Sequence, residues 1–553
     1  MRDLGTIDGS GGANRGQPVT FSPDGQRLYK LTDEPTGAPN TAAKTTLVSV
    51  DLYGRDERVI ARWDRAVDVA VSPKGDAVAF VEGHKVYTAP LPLTGGQAIE
   101  LNPKGGAFPV TARSEGAGDW LSWTTADGPR WAMGPMFYGG AAPINLDARL
   151  PRAKAQGKVA YVNARVLTMG AAGVIERGTI VVDGDRIVSV SSAPAPAGVT
   201  VVDLGGKTVM PGLIDVHAHL HYGVSDAQPQ RSWAHEINLA YGVTTVFDPS
   251  AHNDTVFATS ERIDAGLELG PRVFSTGYIL YGAKSKDRSD IQNLDDARMH
   301  LARMKAMGAT GVKSYQQPAR AQRQWVLAAA TEEGLNVYPE GGGDLWQDLT
   351  MIVDGHTDIE HSLPNAPLYD DVIGLYAASG ASYTPTLLVA YGGVSGENYY
   401  FQTEDLLNDP KFTRFTPAEW VDRNLRRRTL VINDEDWFHR EVSKAAGELA
   451  AAGVKVNLGG HGQVQGIGPH WELWALAEGL GNEAALRAAT INGAWTLGFE
   501  DDLGSVEVGK LADLIVIDGD PLADIRASVR ITEVIKGGVR YDGETLKRVE
   551  ITK

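Results

Sequence analysis

A chain of 553 residues exceeds the roughly 250–300 residues at which single cores stop growing, so two or three domains are expected. Acidic side chains outnumber basic ones by 69 to 52, a formal charge of −17, which excludes the basic footprint needed to hold nucleic acid or an anionic membrane non-specifically. Cysteine is absent, so disulfides, thiolate metal sites and a cysteine nucleophile are excluded, and a metal would have to be held by His, carboxylate or modified Lys. No apolar run approaches the ~18 residues of a transmembrane helix, and the opening MRDLGTIDGSGGANRG lacks the apolar segment of a signal peptide.

The first zone, residues 1–140, repeats itself. VTFSPDGQRLYKL (Val19 to Leu31) and VAVSPKGDAVAFV (Val69 to Val81) each set a Ser-Pro-x-Gly turn between two alternating strands, with a third, weaker copy around Ser114 to Trp123. Repeats of this spacing resemble the blades of TolB-type β-propellers. Propellers close with 4–8 blades, and this zone has room for two or three. A truncated propeller, or one completed by a partner chain or a second copy, is therefore expected. Residues 141–158 are a linker by composition. The strand-rich stretches 159–209 and 500–553 are expected to form one small composite β-sandwich, with Asp183-Gly184 as a tight hairpin turn.

Between them, residues 210–499 alternate strand and helix. Strands are predicted at Leu213–His217, Thr244–Asp248, Arg272–Thr276, Gly311–Ser314, Asn336–Pro339, Asp358–His361, Ser382–Val389 and Lys455–Gly459, with helices such as Leu294–Met307 and Arg320–Glu333 between them. Eight strands of this spacing predict an α/β fold of the (β/α)8 TIM-barrel type, with its site at the strand ends. An oversized aromatic connection, Tyr391 to Phe438, is a candidate lid or substrate wall.

PGLIDVHAHLH carries the first chemistry. His217, His219 and His221 share one side of an extended strand, and two imidazoles at a strand end are able to share one metal ion. His-x-His alone is a weak signal; its position at the end of the first predicted barrel strand strengthens it.

TVMPGLIDVHAHLH, YGVTTVFDPS, GPRVFSTG, ALRAATINGAWTLGF and GSVEVGKLADLIVIDGDPL, in this order over residues 159–545, resemble the metal-dependent amidohydrolases, with the imidazolonepropionase-like and prolidase-like members nearest. Some of those carry a TolB-type propeller at the N-terminus. In the binuclear branch, the resemblance implies His-x-His from strand one, a carboxylated bridging Lys from strand four, a His from each of strands five and six, and an Asp from strand eight. His217 and His219 match, Lys313 in GVKSY fits the lysine, and His361 in DIEHSL fits strand six. Two positions depart: NVYPEGGGD places Glu340 where a His belongs, and NLGGHGQ places His461 where the Asp belongs. Together these look like an exchange that preserves ligand count and charge. The expected metal set is therefore His217, His219, Lys313, Glu340, His361 and His461, holding two divalent ions, with Zn2+ first in line and Mn2+ or Co2+ as substitutes, and CO2 as a carbamate on Lys313. Glu340 or His461 inherits the proton-transfer task of the missing Asp.

Tyr391, Thr386, His470 and His356 are expected to contact substrate, and His356 is also an alternative ligand. Asp248 is read as a hydrogen-bonding core residue. The expected activity is hydrolysis of an amide or peptide C–N bond in a small peptide or N-acyl amino acid by metal-activated hydroxide. A mononuclear deaminase or cyclic-amide ring-opening hydrolase is the alternative, and a catalytically inactive binding protein is the alternative of another class. No location is assigned: the cytoplasm follows for the chain as it stands, and the periplasm or secretion if a leader was lost with missing blades.

Overall fold

Both Ser-Pro-x-Gly repeats fold as hairpins in the computed structural model, which describes residues 19–550 except 36–42, 93, 117, 126, 223–228, 284–287, 342, 391–392 and 426–431. In each, the Ser hydroxyl binds a nearby Asp (Ser22 Oγ to Asp24 Oδ1, 2.6 Å; Ser72 Oγ to Asp76 Oδ1, 2.8 Å) and accepts the backbone N–H five residues on, from Arg27 or Ala77. The N-terminal region holds a five-stranded sheet and two four-stranded sheets. The first two share a core around Leu47, Trp63, Val78 and Phe80.

This region leans on the helix Leu294–Met307 of the α/β region and on the loop before it. Arg65 Nη2 meets Asp290 Oδ2 at 2.5 Å, and the rings of His84 and His300 meet edge to face at 5.5 Å. Gly134, at φ 52°, lies so close to the Ala306 carbonyl that a Cβ there would collide with it, so the contact requires glycine. Phe21, Tyr53 and Trp120 stay exposed.

The two outer pieces of the chain meet in one continuous eight-stranded sheet where a sandwich of two pieces was expected. Thr208–Pro211 pairs in parallel with Lys158–Leu167 on one side and antiparallel with Leu514–Ile517 on the other. The Asp183-Gly184 turn joins two antiparallel strands, Val174–Asp183 and Arg186–Ser191.

Seven short strands of the α/β region carry the site: β1 (Leu213–Asp215), β2 (Val243–Asp248), β3 (Arg272–Ser275), β4 (Gly311–Tyr315), β5 (Asn336–Pro339), β6 (Asp358–Glu360) and β7 (Ser382–Thr384). They run parallel as β1–β2–β3, β4–β5 and β6–β7. Single parallel bridges extend these sets: Glu340 to Glu360, Tyr383 to Val456, and Ala218 to His461. The predicted strand Lys455–Gly459 is thus reduced to one bridging residue, Val456. The predicted Ser382–Val389 stops at Thr384, because Thr386 takes a left-handed φ of 47° and Leu387–Val389 coils into a 3-10 turn. Most of these strand residues are buried, as parallel strands covered on both faces are, but many of the buried ones, Asp215, Asp248, Lys313, Asp358 and Glu360 among them, are polar or charged.

The long aromatic connection is packed rather than free over much of its length. Tyr400, Phe412 and Trp437 are buried, and Tyr400 stacks on Trp471 at 5.3 Å.

Candidate metal centre

The ends of β1, β4, β5 and β6 and the loop after Val456 bring one cluster together. Among the described residues, ring nitrogens of His217, His219 and His461 all lie within 4.8 Å of one another. His361 joins them, its ring centroid 4.8 Å from that of His217 and 5.1 Å from that of His461.

Three of the four rings are held from behind. Asp248 Oδ1, at the end of β2, sits 3.3 Å from His219 Nδ1, and Gln463 Oε1 sits 2.8 Å from His461 Nδ1. An oxygen acceptor at Nδ1 draws the N–H there and leaves Nε2 with its lone pair, the arrangement that orients a metal-binding imidazole. Thr386 Oγ1 lies 2.8 Å from His361 Nδ1. Asp215, two residues before His217 on the same side of β1, accepts the backbone N–H of His217 (3.1 Å) and of Gly460 (3.0 Å), tying the loop that carries His461 to the loop that carries His217.

Burial and neighbouring positive charge hold the His217 imidazole well below its ordinary pKa, and burial with the adjacent His219 pushes His461 down to about 3. Both are therefore neutral, with lone pairs to give. Burial works on His219 too, but the Asp248 carboxylate outweighs it and holds that pKa above the ordinary value. His217 Nδ1 is buried with no hydrogen bond, 3.3 Å from Glu360 Oε1. Convergent neutral imidazoles, oxygen acceptors behind them and an unsatisfied buried nitrogen fit a divalent cation.

Beside the imidazoles lies a charged half. Lys313 Nζ is 2.7 Å from Glu340 Oε2 and also donates to Glu360 Oε2. Glu340 Oε1 is 3.3 Å from His361 Nε2. Burial opposes the charged amine, but Glu360 and Glu340 outweigh it and raise the Lys313 pKa. Burial also pushes at Glu340, yet the Lys313 charge and the His361 hydrogen bond prevail and hold it well below the usual carboxylate range. Glu360 is the more deeply buried, and burial pushes it up to about 8 against the pull of Lys313.

All six predicted metal residues thus come together: His217, His219 and His461 as one group, and Lys313, Glu340 and His361 as its neighbour. Of the four residues expected to contact substrate, three lie among the described residues. Thr386 is fully buried, and its hydroxyl serves His361. His470 spends both ring nitrogens on the Tyr241 carbonyl (2.7 Å) and Ser528 Oγ (2.9 Å), which makes it a structural tie between elements. His356 is buried with Nδ1 on the Met351 carbonyl at 3.0 Å. Tyr391 lies outside the described residues.

Sequence reasoning passed over Glu360, Asp215 and Gln463 and read Asp248 as a core residue. Asp215 was within reach, since strand alternation puts it on the side of His217. Glu360 was not: alternation sends it away from His361, but His361 takes a φ of 71°, and both side chains reach the cluster.

The family model of the amidohydrolase family matches residues 208–540. An imidazolonepropionase of Klebsiella pneumoniae (strain 342) is 36% identical over 116 residues, 20% of this chain and 28% of its own length; the match to that of Hyphomonas neptunium (strain ATCC 15444) spans 21% of its length. A 5-methylthioadenosine/S-adenosylhomocysteine deaminase of Bacillus thuringiensis (strain Al Hakam) is 37% identical over 398 residues, 65% of this chain and 85% of the deaminase. Among solved structures, a Xaa-Pro dipeptidase with bound methionine superposes with a TM-score of 0.54 at 22% identity, covering 70% of this chain and 100% of the dipeptidase. A putative prolidase from Bifidobacterium longum gives 0.53 at 25% identity, with 71% and 96% covered. With its family model matched over more than half its length, the chain belongs to the amidohydrolase family.

Proposed function

We propose that the protein is a metal-dependent amidohydrolase that cleaves an amide or peptide C–N bond, with a small peptide or N-acyl amino acid as substrate class. The observation that carries this reading is the convergence of His217, His219 and His461, with nitrogens inside 4.8 Å, beside Lys313 and Glu340. His217, His219 and His461 would hold a divalent ion, and the chemistry it would supply there is polarisation of the scissile carbonyl and activation of water. The chain's own residues do the rest. Asp248 and Gln463 keep Nε2 of His219 and His461 free, and Asp215 locks the two loops in register. With His461 turned to the ion, Glu340 is the carboxylate left to accept a proton and return it to the leaving nitrogen.

The fold likeness to dipeptidases supports the peptide class. The deaminase and imidazolonepropionase relatives favour a second reading, deamination or ring opening at a single ion. The fuller form of the first reading adds a carbamate on Lys313 and a second ion among Lys313, Glu340 and His361. It also takes the parallel strands as a (β/α)8 barrel and the N-terminal sheets as propeller blades completed by a partner or a second copy.

The test is elemental analysis of protein reconstituted with Zn2+, Mn2+ or Co2+, followed by assay against dipeptides, N-acyl amino acids, adenosine derivatives and cyclic amides. Stoichiometric metal with turnover of an acyclic amide is the expected result. Metal with turnover only of a ring or an exocyclic amine moves the assignment to the second reading, and a protein that takes up no metal overturns both.

A further inference from the structure

We propose that Lys313 itself supplies the second positive charge of this centre: its amine, clasped between Glu340 and Glu360, takes the place of a second metal ion, and the centre works with one divalent ion held by the histidines. This rests on the metal-dependent reading above and deepens it, by fixing the number of ions and giving Glu360 a task.

The geometry is that of a cation in a built socket. The nitrogen is bonded to Glu360 Oε2 and lies 2.7 Å from Glu340 Oε2. The second oxygen of each carboxyl group then reaches an imidazole, Glu360 Oε1 at 3.3 Å from His217 Nδ1 and Glu340 Oε1 at 3.3 Å from His361 Nε2. The amine is therefore the hub of a ring that touches the histidine cluster on both sides. The Lys313 and Glu360 side chains are 2% and 1% exposed, so water does not share the work of neutralising them.

Carboxylating this amine would break both bonds and set a third acidic group beside Glu340 and Glu360, a large cost where water is excluded. It would become favourable only with a second divalent ion arriving at the same place. Two features hold the amine in the cationic arrangement instead. The strand-five position carries Glu340, which pairs with an ammonium where a His would not. Strand β6 presents Glu360 to the cluster, and the left-handed φ of 71° at His361 lets that next residue face it as well.

The experiment counts ions and carbamate together. Wild-type protein is loaded with Zn2+ with and without 13C-bicarbonate, and the ion content and 13C spectrum are recorded. One ion per chain in both samples, with no labelled carbamate, is expected. Two ions per chain with bicarbonate-dependent uptake and a carbamate resonance overturn the proposal while leaving the hydrolase reading intact; no ion in either sample defeats the hydrolase reading itself. The second arm is Lys313→Arg, whose guanidinium stays charged and is not a substrate for carbamate formation under these conditions. The variant is expected to keep one ion and the wild-type visible spectrum of the Co2+ form, and a loss of ion content relative to wild type counts against the proposal. Because the wild-type count needs no variant to fold, the proposal stands or falls on it alone.

Discussion

Histidine rings meet edge to face in two places among the described residues, once in the candidate metal centre and once outside it. His217 and His219 lie 5.0 Å apart at the end of β1, and His84 and His300 lie 5.5 Å apart where the N-terminal sheets rest on the helix Leu294–Met307. Burial lowers the pKa of His217, His84 and His300 alike, with His300 reaching about 3. The difference is in what stands around the rings. At the junction Arg303 pushes both imidazoles further from protonation, Arg65 adds to this at His84, and Asp290 pulls the other way at His300 without outweighing burial. In the centre, Asp248, Gln463, Glu340 and Glu360 surround the rings with oxygen. Burial makes an imidazole neutral; oxygen acceptors behind and beside it make it a ligand.

The sharpest way to break this contrast is to remove a ring from the centre. His217→Ala or His461→Ala is expected to abolish stoichiometric metal and lower kcat/KM by about a thousandfold or more, which costs roughly 4 kcal/mol of transition-state stabilisation. Matched elemental analysis and kinetics check it. His300→Ala is expected to leave both unchanged.

Removing an oxygen from behind a ring is the next test. Asp248→Asn and Gln463→Ala are each expected to weaken metal affinity by about 10–100-fold, the usual cost of losing an orienting partner, with folding unaffected. Competition against a chelator measures it.

The junction histidines give a pH effect of opposite character. With a folded pKa of about 3 against an ordinary value near 6.5, His300 binds fewer protons folded than unfolded between those limits. Stability therefore rises with pH across the window, by up to about 1.4 kcal/mol per pH unit for this proton, and is lost as pH falls from about 6.5 towards 3. His84 shifts in the same direction. Thermal melts from pH 7 to 4 should show the loss, and His300→Leu should flatten it.

The smallest expected effect is at Arg65→Ala, which removes the part-buried ion pair to Asp290. A loss of about 1 kcal/mol, read as earlier proteolysis of the N-terminal sheets, is expected without change at the metal centre.

His217 and His219 were legible from strand alternation. Lys313, Glu340, His361 and His461 were legible only through the resemblance to the amidohydrolases, matched position by position, with Glu340 and His461 as departures from that pattern. What stayed hidden depended on backbone that leaves its regular path. Glu360 and His361 both face the cluster, against strict alternation, because His361 adopts a positive φ, and Thr386 turns to His361 from a left-handed bend where a strand was predicted. The aromatic connection was legible as aromatic but not as packed, because the Trp471 beneath Tyr400 comes from a helix about seventy residues on. Short strands such as β6 and β7, three residues each, owe their shape to neighbours rather than to their own propensity.

The shared sheet has a consequence for how the chain reaches this state. Thr208–Pro211 finds its antiparallel neighbour in Leu514–Ile517, and Arg272 at the start of β3 finds its close, hydrogen-bonded carboxylate in Asp513, at 2.6 Å, with Asp264 farther off at 3.9 Å. During synthesis the whole α/β region emerges before either partner exists. Closing so long a loop adds little entropy beyond that of a shorter one, because the cost grows only with the logarithm of length. The delay itself is unavoidable: until residue 517 leaves the ribosome, one edge of the sheet stands open and a buried guanidinium waits without its hydrogen-bonded counter-charge, so the last strands act as the latch that commits the nascent chain.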